Sequence, residues 1–139
     1  MKMPVLTIIV PCYNEEEILP KTMDELTAVL LELMELKLVS TNSNILLVDD
    51  GSKDHTWNVI QVESMQNHLV RGIKLAGNVG HQNALLAGLE AAQRQSDCVI
   101  SIDADLQDDI SVIRTMVEKY NDGYDIVYGV RDKRQSDTF

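Results

Sequence analysis

The sequence predicts an α/β domain built on a mainly parallel sheet with helices on both faces. Two observations carry this prediction. Short apolar, β-branched runs alternate with longer segments of helical period along the whole chain. Three of those runs also end in polar clusters, at Pro11 to Glu15, Asp49 to Ser52 and Asp103 to Gln107. Strands separated by helices need crossover connections, which make neighbouring strands parallel and bury the sheet on both sides.

Taken in order, Val5 to Val10 is an uncharged run that reads as a buried strand, broken by Pro11-Cys12-Tyr13-Asn14. Glu15-Glu16-Glu17 leads into a long helix with Met23, Leu26, Leu30 and Leu33 on one stripe. Pro20 belongs near that helix's start, where a missing N–H is harmless, and the acids before it suit the helix dipole. Thr41 to Asn44 reads as a turn and Ile45 to Val48 as the second strand. Thr56 to about Gln66 is the second helix, with Asp54 as its expected N-cap and Trp57 on its core side. Leu69 to Leu75 is a third, less apolar strand, closed by the Gly77-Asn78-Val79-Gly80 turn. His81 to Gln93 is a helix rich in Ala and Gly, suited to close packing on a sheet. Cys98 to Ile102 is the fourth strand. Ser111 to Asn121 is the fourth helix, with Ile113, Met116, Val117 and Tyr120 on one face and Gly123 at its end. Ile126 to Val130 is expected as a fifth strand.

Length and composition bound the function. The 139 residues suffice for one domain, and an apolar fraction of 45% supports a packed core. A formal charge of −10 argues against nucleic acid as a partner, since that role needs a basic face. Cys12 and Cys98 read as small buried thiols of a reducing, cytoplasmic compartment, and the three His show no zinc-ligand spacing. A secretory leader is not expected at Met1-Lys2-Met3-Pro4, and no run of about 18 apolar residues predicts a membrane span. Residues 1–139 end at Thr138-Phe139 without a closing element, so they are expected to be the front part of a larger domain. Fingerprints for dinucleotides, P-loop nucleotides and the hydrolase nucleophile elbow are absent.

In parallel sheets, ligands sit outside the carboxyl ends of the strands, so the three polar strand ends should share one edge. The most suggestive is Asp103-Ala104-Asp105-Leu106-Gln107, two carboxylates and an amide in a small volume. Such hard oxygen ligands suit Mg²⁺ or Mn²⁺ together with substrate phosphates. The same pattern also fits a polar turn whose last acid, Asp108, caps the next helix. His81 sits at a helix start beside this edge, where capping, packing or an approach to a diphosphate are all open to it. Arg131, Lys133 and Arg134 form a basic cluster that suits either phosphate or bulk solvent.

Four segments resemble the family 2 glycosyltransferases. They are Val10-Pro11-Cys12-Tyr13-Asn14-Glu15-Glu16, then Leu47-Val48-Asp49-Asp50-Gly51-Ser52-Lys53-Asp54-His55-Thr56, then Asn78-Val79-Gly80-His81-Gln82-Asn83-Ala84-Leu85, and Asp103-Ala104-Asp105-Leu106-Gln107-Asp108. The last is similar to the branch that glycosylates polyprenyl phosphates, which includes dolichol-phosphate mannose synthases and bactoprenol glucosyltransferases. Asp109-Ile110 stand where that family often has two prolines.

The resemblance implies the GT-A (Rossmann-like) fold and hexose transfer from a UDP- or GDP-sugar, with polyprenyl phosphate as the expected acceptor. It implies a nucleotide pocket from Pro11, Tyr13, Glu15, Val48, Asp49, Asp50, Asp103, Ala104 and Arg131. Tyr13 either flanks the nucleoside or is a rim residue, and Asp50 rather than Asp49 is favoured as the ligand. It implies catalytic roles for Asp103 and Asp105, and a divalent cation, Mg²⁺ or Mn²⁺, held by Asp103, Asp105 and Gln107. Localisation is expected at the cytoplasmic face of a membrane, reached through downstream segments. The alternatives are a family 2 enzyme acting on a polysaccharide or glycan, and a non-enzymatic nucleotide-binding or receiver-like domain.

Overall fold

The structure is a computed structural model that describes residues 2–106 and 110–124. The expected fifth strand, Asp108, Gln107 and the cluster at Arg131, Lys133 and Arg134 lie outside the described residues.

Among the described residues, four parallel strands form one sheet: β1 (Leu6–Cys12), β2 (Asn44–Asp49), β3 (Val70–Lys74) and β4 (Cys98–Ser101), in the order β3-β2-β1-β4. The helices between and after them are α1 (Leu19–Glu35), α2 (Thr56–Gln66), α3 (His81–Ala92) and α4 (Val112–Asn121). All seven residues of β1 are buried, as its central place requires. Register alternates cleanly by face. Leu6, Ile8, Val10 and Cys12 join α1, α2 and α4 in the larger core, with Met23, Leu26, Leu30, Ile60, Ile113 and Val117. Ile9, Leu46 and Val48 face the other way, against Ala84 and Ala92 of α3. α3 lies close because its residues are small. A Cβ added to Gly88 would sit 2.7 Å from Ile9 Cγ2. Trp57 packs at the edge of the larger core as expected, in room left by Gly72, where an added Cβ would stand 3.4 Å from its ring.

The strand order places the site. The chain runs outward from β1 through β2 to β3, then returns to the far side of β1 for β4. The reversal opens a crevice between the carboxyl ends of β1 and β4.

Several boundaries differ from expectation for local reasons. Pro11 does not break β1: it pairs with Val48, and the strand runs on to Cys12. Ile9 carbonyl accepts from Ile102 N–H, so the nitrogen of Pro11, two residues on, faces the same side, beyond the end of β4 at Ser101. No ladder bond is lost there. Asp49 belongs to β2 itself. The Glu15–Glu17 run is a turn ahead of α1, whose first turn holds no acid, although Leu19 N–H already bonds Glu15 carbonyl at 3.0 Å. Pro20 falls in the first turn of α1, where it was expected. His55, not Asp54, is the N-cap of α2. Asp54 serves the helix from one residue further out, accepting from Thr56 N–H at 2.9 Å and Thr56 Oγ1 at 2.5 Å. Burial alone would raise its pKa, but these bonds and one from Glu16 N–H hold the carboxyl below its ordinary range. Among the described residues no helix is long and apolar enough to cross a membrane.

Candidate functional site

A cleft of about 550 Å³ opens on the carboxyl edge of the sheet, and the three polar strand ends meet there. The end of β1 supplies Pro11, Cys12, Tyr13 and Glu15 to its lining. Asp50 enters from the end of β2, and Asn78, Gly80 and His81 from the turn before α3. Asp103, Ala104 and Asp105 close it beyond β4. Seven of the residues expected to bind nucleotide or metal are thus brought together: Pro11, Tyr13, Glu15, Asp50, Asp103, Ala104 and Asp105. Val48 and Asp49 are not part of the lining. Val48 is fully buried against α3, because alternation along β2 turns its side chain into the sheet face. Asp49 is also fully buried. Its Oδ1 accepts from Ser52 N–H at 3.1 Å, bracing its own turn, while Oδ2 has no hydrogen-bond partner. Arg131 and Gln107 lie outside the described residues.

The Asp-x-Asp segment is a tight turn, with Leu106 N–H bonded to Asp103 carbonyl at 3.0 Å. Leu106 has φ 49°, a conformation that costs a residue with a Cβ on the order of 1–3 kcal/mol and tends to mark functional sites. The turn is tied to α1 by Thr22, whose Oγ1 donates to Ala104 carbonyl at 2.6 Å in a buried position. The opposite wall is tied as firmly. Asp50 Oδ1 accepts from Val79 N–H at 2.8 Å, and Asn78 Nδ2 donates to Asp50 carbonyl at 3.2 Å and to its Oδ2 at 3.4 Å. Gly51, at φ +66°, lets the two loops touch, since a Cβ there would lie 2.4 Å from Asn78 N. Both carboxylate oxygens of Asp50 thus accept a hydrogen bond from this turn, and the residue lines the cleft while almost fully buried.

His81 does not cap its helix: the N-cap is Gly80, and no side chain caps it. Its side chain is 58% exposed, and Nε2 stands 3.6 Å from Asp103 Oδ1. Tyr13 is a rim residue, 39% exposed. The cleft is strongly acidic. Burial raises the Glu15 carboxyl above its ordinary pKa, and the charges of Asp105, Asp54 and Asp103 push it in the same direction. Burial likewise drives the Cys12 thiol far up, with Glu15 and Asp49 adding to the effect, so it is no nucleophile.

The supporting residues left few marks in the sequence. Asn14 holds φ 54°, and its Oδ1 accepts from Lys53 N–H at 2.8 Å, locking the first polar loop to the second. Asn tolerates that conformation better than most residues, which is the one available signal. Thr56 Oγ1 accepts from Glu15 N–H at 2.8 Å. Neither Thr56 nor Thr22 differs by pattern from an ordinary buried threonine.

Among the described residues, no three His, Cys, Asp or Glu side chains converge closely enough to hold a metal ion unaided. Asp103 and Asp105 offer two hard carboxylates at an open cleft. That donor set fits Mg²⁺ or Mn²⁺, which retain positions for water and phosphate oxygens, better than an ion that demands an all-protein cage.

These features define a parallel α/β fold with an acidic cleft at the carboxyl edge of its sheet. The chain belongs to the family described as Glycosyl transferase family 2, matched over residues 7–139. It is 62% identical over 136 residues to the uncharacterized glycosyltransferase YkoT of Bacillus subtilis (strain 168), covering 98% of this chain and 40% of that protein. It is 38% identical over 135 residues to the prophage bactoprenol glucosyl transferase homolog of Escherichia coli (strain K12), covering 95% and 40%. The chain thus spans about 40% of the length of the curated relatives it matches. In structure it is similar to the mannosyltransferase PcManGT from Pyrobaculum calidifontis, solved with GDP-Man and Mn²⁺. The TM-score is 0.61 at 22% identity, over 76% of this chain and 28% of that one. The fold is the expected GT-A arrangement, and the family excludes the receiver-like alternative.

Proposed function

We propose that residues 1–139 form the donor-binding part of a transferase that moves a hexose from a UDP- or GDP-sugar to polyprenyl phosphate, with Mg²⁺ or Mn²⁺ as cofactor. The observation that carries this reading is the convergence of Asp50, Asp103 and Asp105, from two strand ends on either side of β1, around one cleft. Asp50 offers hydrogen-bond acceptors to the nucleoside, and Tyr13 flanks it at the rim. Asp103 and Asp105 hold the cation, with Gln107 as a further oxygen ligand. When bound, a divalent cation supplies the positive charge that a departing diphosphate needs. This also accounts for an acidic cleft that accepts an anionic ligand.

Transfer to a phosphate acceptor forms one bond from a phosphate oxygen to the anomeric carbon and breaks one from that carbon to the diphosphate. A phosphate oxygen is already ionised at neutral pH, so this acceptor needs no general base, unlike a sugar hydroxyl. The named function of the bactoprenol relative supports the lipid acceptor, and the GDP-Man and Mn²⁺ in the mannosyltransferase support the donor class and cofactor. In this proposal the enzyme works at the cytoplasmic face of a membrane, reached by segments beyond residue 139, and residues 1–139 alone transfer sugar poorly.

Calorimetry with UDP-glucose and GDP-mannose, each with and without Mn²⁺, tests the reading. Binding of one nucleotide is expected only with metal, and Asp105→Ala is expected to lose most of that metal-promoted binding relative to the unaltered chain. Equal affinity in that variant would overturn the metal assignment, and no binding to either nucleotide would overturn the donor-site reading.

A further inference from the structure

The Asp-x-Asp turn is a thin partition. Asp105 borders the acidic cleft and also a second cleft of about 420 Å³, which Thr22, Leu106 and Ile110 line with it. Open space at two of its faces leaves the turn few packing partners among the described residues. Charge works against it as well. The Glu15 carboxyl is raised first by burial and then by Asp105, Asp54 and Asp103, a sign that the acids at the cleft repel one another. A turn in this setting keeps two carboxylates together only if it is anchored from behind.

Thr22 anchors the middle of the turn, through its Oγ1 on Ala104 carbonyl. Leu106 anchors the end. Its N–H closes the turn on Asp103 carbonyl at 3.0 Å, and its half-buried side chain packs against the larger core. The backbone there has φ 49°, a conformation that glycine adopts freely and a residue with a Cβ resists. The burial of half a leucine side chain and the strain of a left-handed backbone are similar in size and opposite in sign. Leu106 therefore adds little net stability. What it adds is geometric: the end of the turn is tied to the core that α1, α2 and α4 share.

Resting on the donor-site reading above, we propose that Leu106 is a positioning residue for the cation site. Its side chain, seated on the larger core, pins the turn so that Asp103 and Asp105 already stand together when a divalent cation arrives. It acts through the two aspartates and not by contact with the cation. A glycine at this position would relieve the strain and leave the turn unanchored.

The test compares the chain with Leu106→Gly, Leu106→Ala and Leu106→Met by urea unfolding, by calorimetry with Mn²⁺, and by amide-exchange protection at position 106. Leu106→Gly loses the anchor and the strain together, so its urea midpoint should stay close to the parent's. Leu106→Ala loses the anchor and keeps the strain, so its midpoint should fall. Mn²⁺ affinity should not follow that order. Both variants should raise the Kd for Mn²⁺ roughly 3-fold to 10-fold, the loss expected from the apolar contact of a half-buried leucine. Protection at position 106 should drop in both. Leu106→Met, which conserves volume, should keep the Kd within about 2-fold of the parent and restore the protection. A parent-like Kd and protection in Leu106→Gly, or affinities that follow the urea midpoints, overturn the proposal. If the unaltered chain binds no Mn²⁺ while protection falls as described, the cation reading of Asp103 and Asp105 is overturned and the anchoring by Leu106 stands, so the two failures are distinguishable.

Discussion

Gly51→Ala probes the joint between the two nucleotide-side loops. The new methyl group would sit 2.4 Å from Asn78 N and 2.5 Å from Gly77 C, both backbone atoms that cannot swing aside. Holding a residue with a Cβ at φ +66° costs about 1–2 kcal/mol. Relieving the overlap means moving residues 77–79 away, which stretches the 2.8 Å bond from Val79 N–H to the Asp50 carboxylate. A bond to an ionised acceptor contributes about 1.5–3 kcal/mol, so the total loss is about 2.5–5 kcal/mol. Gly123→Ala is the matched control. It too has positive φ, +107°, but open space around the added atom, so only the conformational cost of about 1–2 kcal/mol applies. Urea unfolding of both variants at pH 7 measures the difference, and a nucleotide titration reads the consequence for the cleft. Gly51→Ala should also weaken nucleotide binding, because the displaced turn is what holds the Asp50 carboxylate at the cleft. A Gly51→Ala loss no larger than that of Gly123→Ala, with unchanged nucleotide affinity, would refute the idea that the close approach organises the site.

Thr22→Val keeps shape but leaves Ala104 carbonyl without its 2.6 Å partner in a buried place. It should cost about 1–3 kcal/mol in urea unfolding and weaken Mn²⁺ binding by loosening the turn that carries both aspartates. Glu15→Gln should raise the melting temperature at pH 7. The folded-state pKa of Glu15 lies above its unfolded value of 4.5, so its contribution favours folding only while it is protonated and is lost as pH rises from 4.5 through the folded pKa. The gain from Glu15→Gln should therefore vanish below about pH 4, and a gain that persists there would show that charge is not the cause.

Much of this protein could be read along the chain because its signals are local. Continuous apolar runs in Leu6–Cys12 and Asn44–Asp49, the helical stripe through Met23, Leu26, Leu30 and Leu33, and the small residues of α3 each betray their own burial. The placement of chemistry at strand ends followed from topology alone, since parallel strands must present the same edge. Sequence also led to the family, because four ordered motifs are specific where any single one is not.

What only the tertiary structure decided depends on contacts between residues far apart in sequence. Val48 and Asp50 stand in one motif, yet strand alternation and the end of β2 send one into the core and the other to the cleft. Pro11 stays within a strand because its neighbour β4 ends earlier, a fact set by residues some 90 positions away. His81 faces Asp103 instead of capping α3 because Asp50 and Gly51 pin the turn before it. Thr22 reaches Ala104 across 82 positions. A sequence pattern records whether a side chain is polar or apolar, but the partner that satisfies it is chosen only when distant strands and helices close on one another.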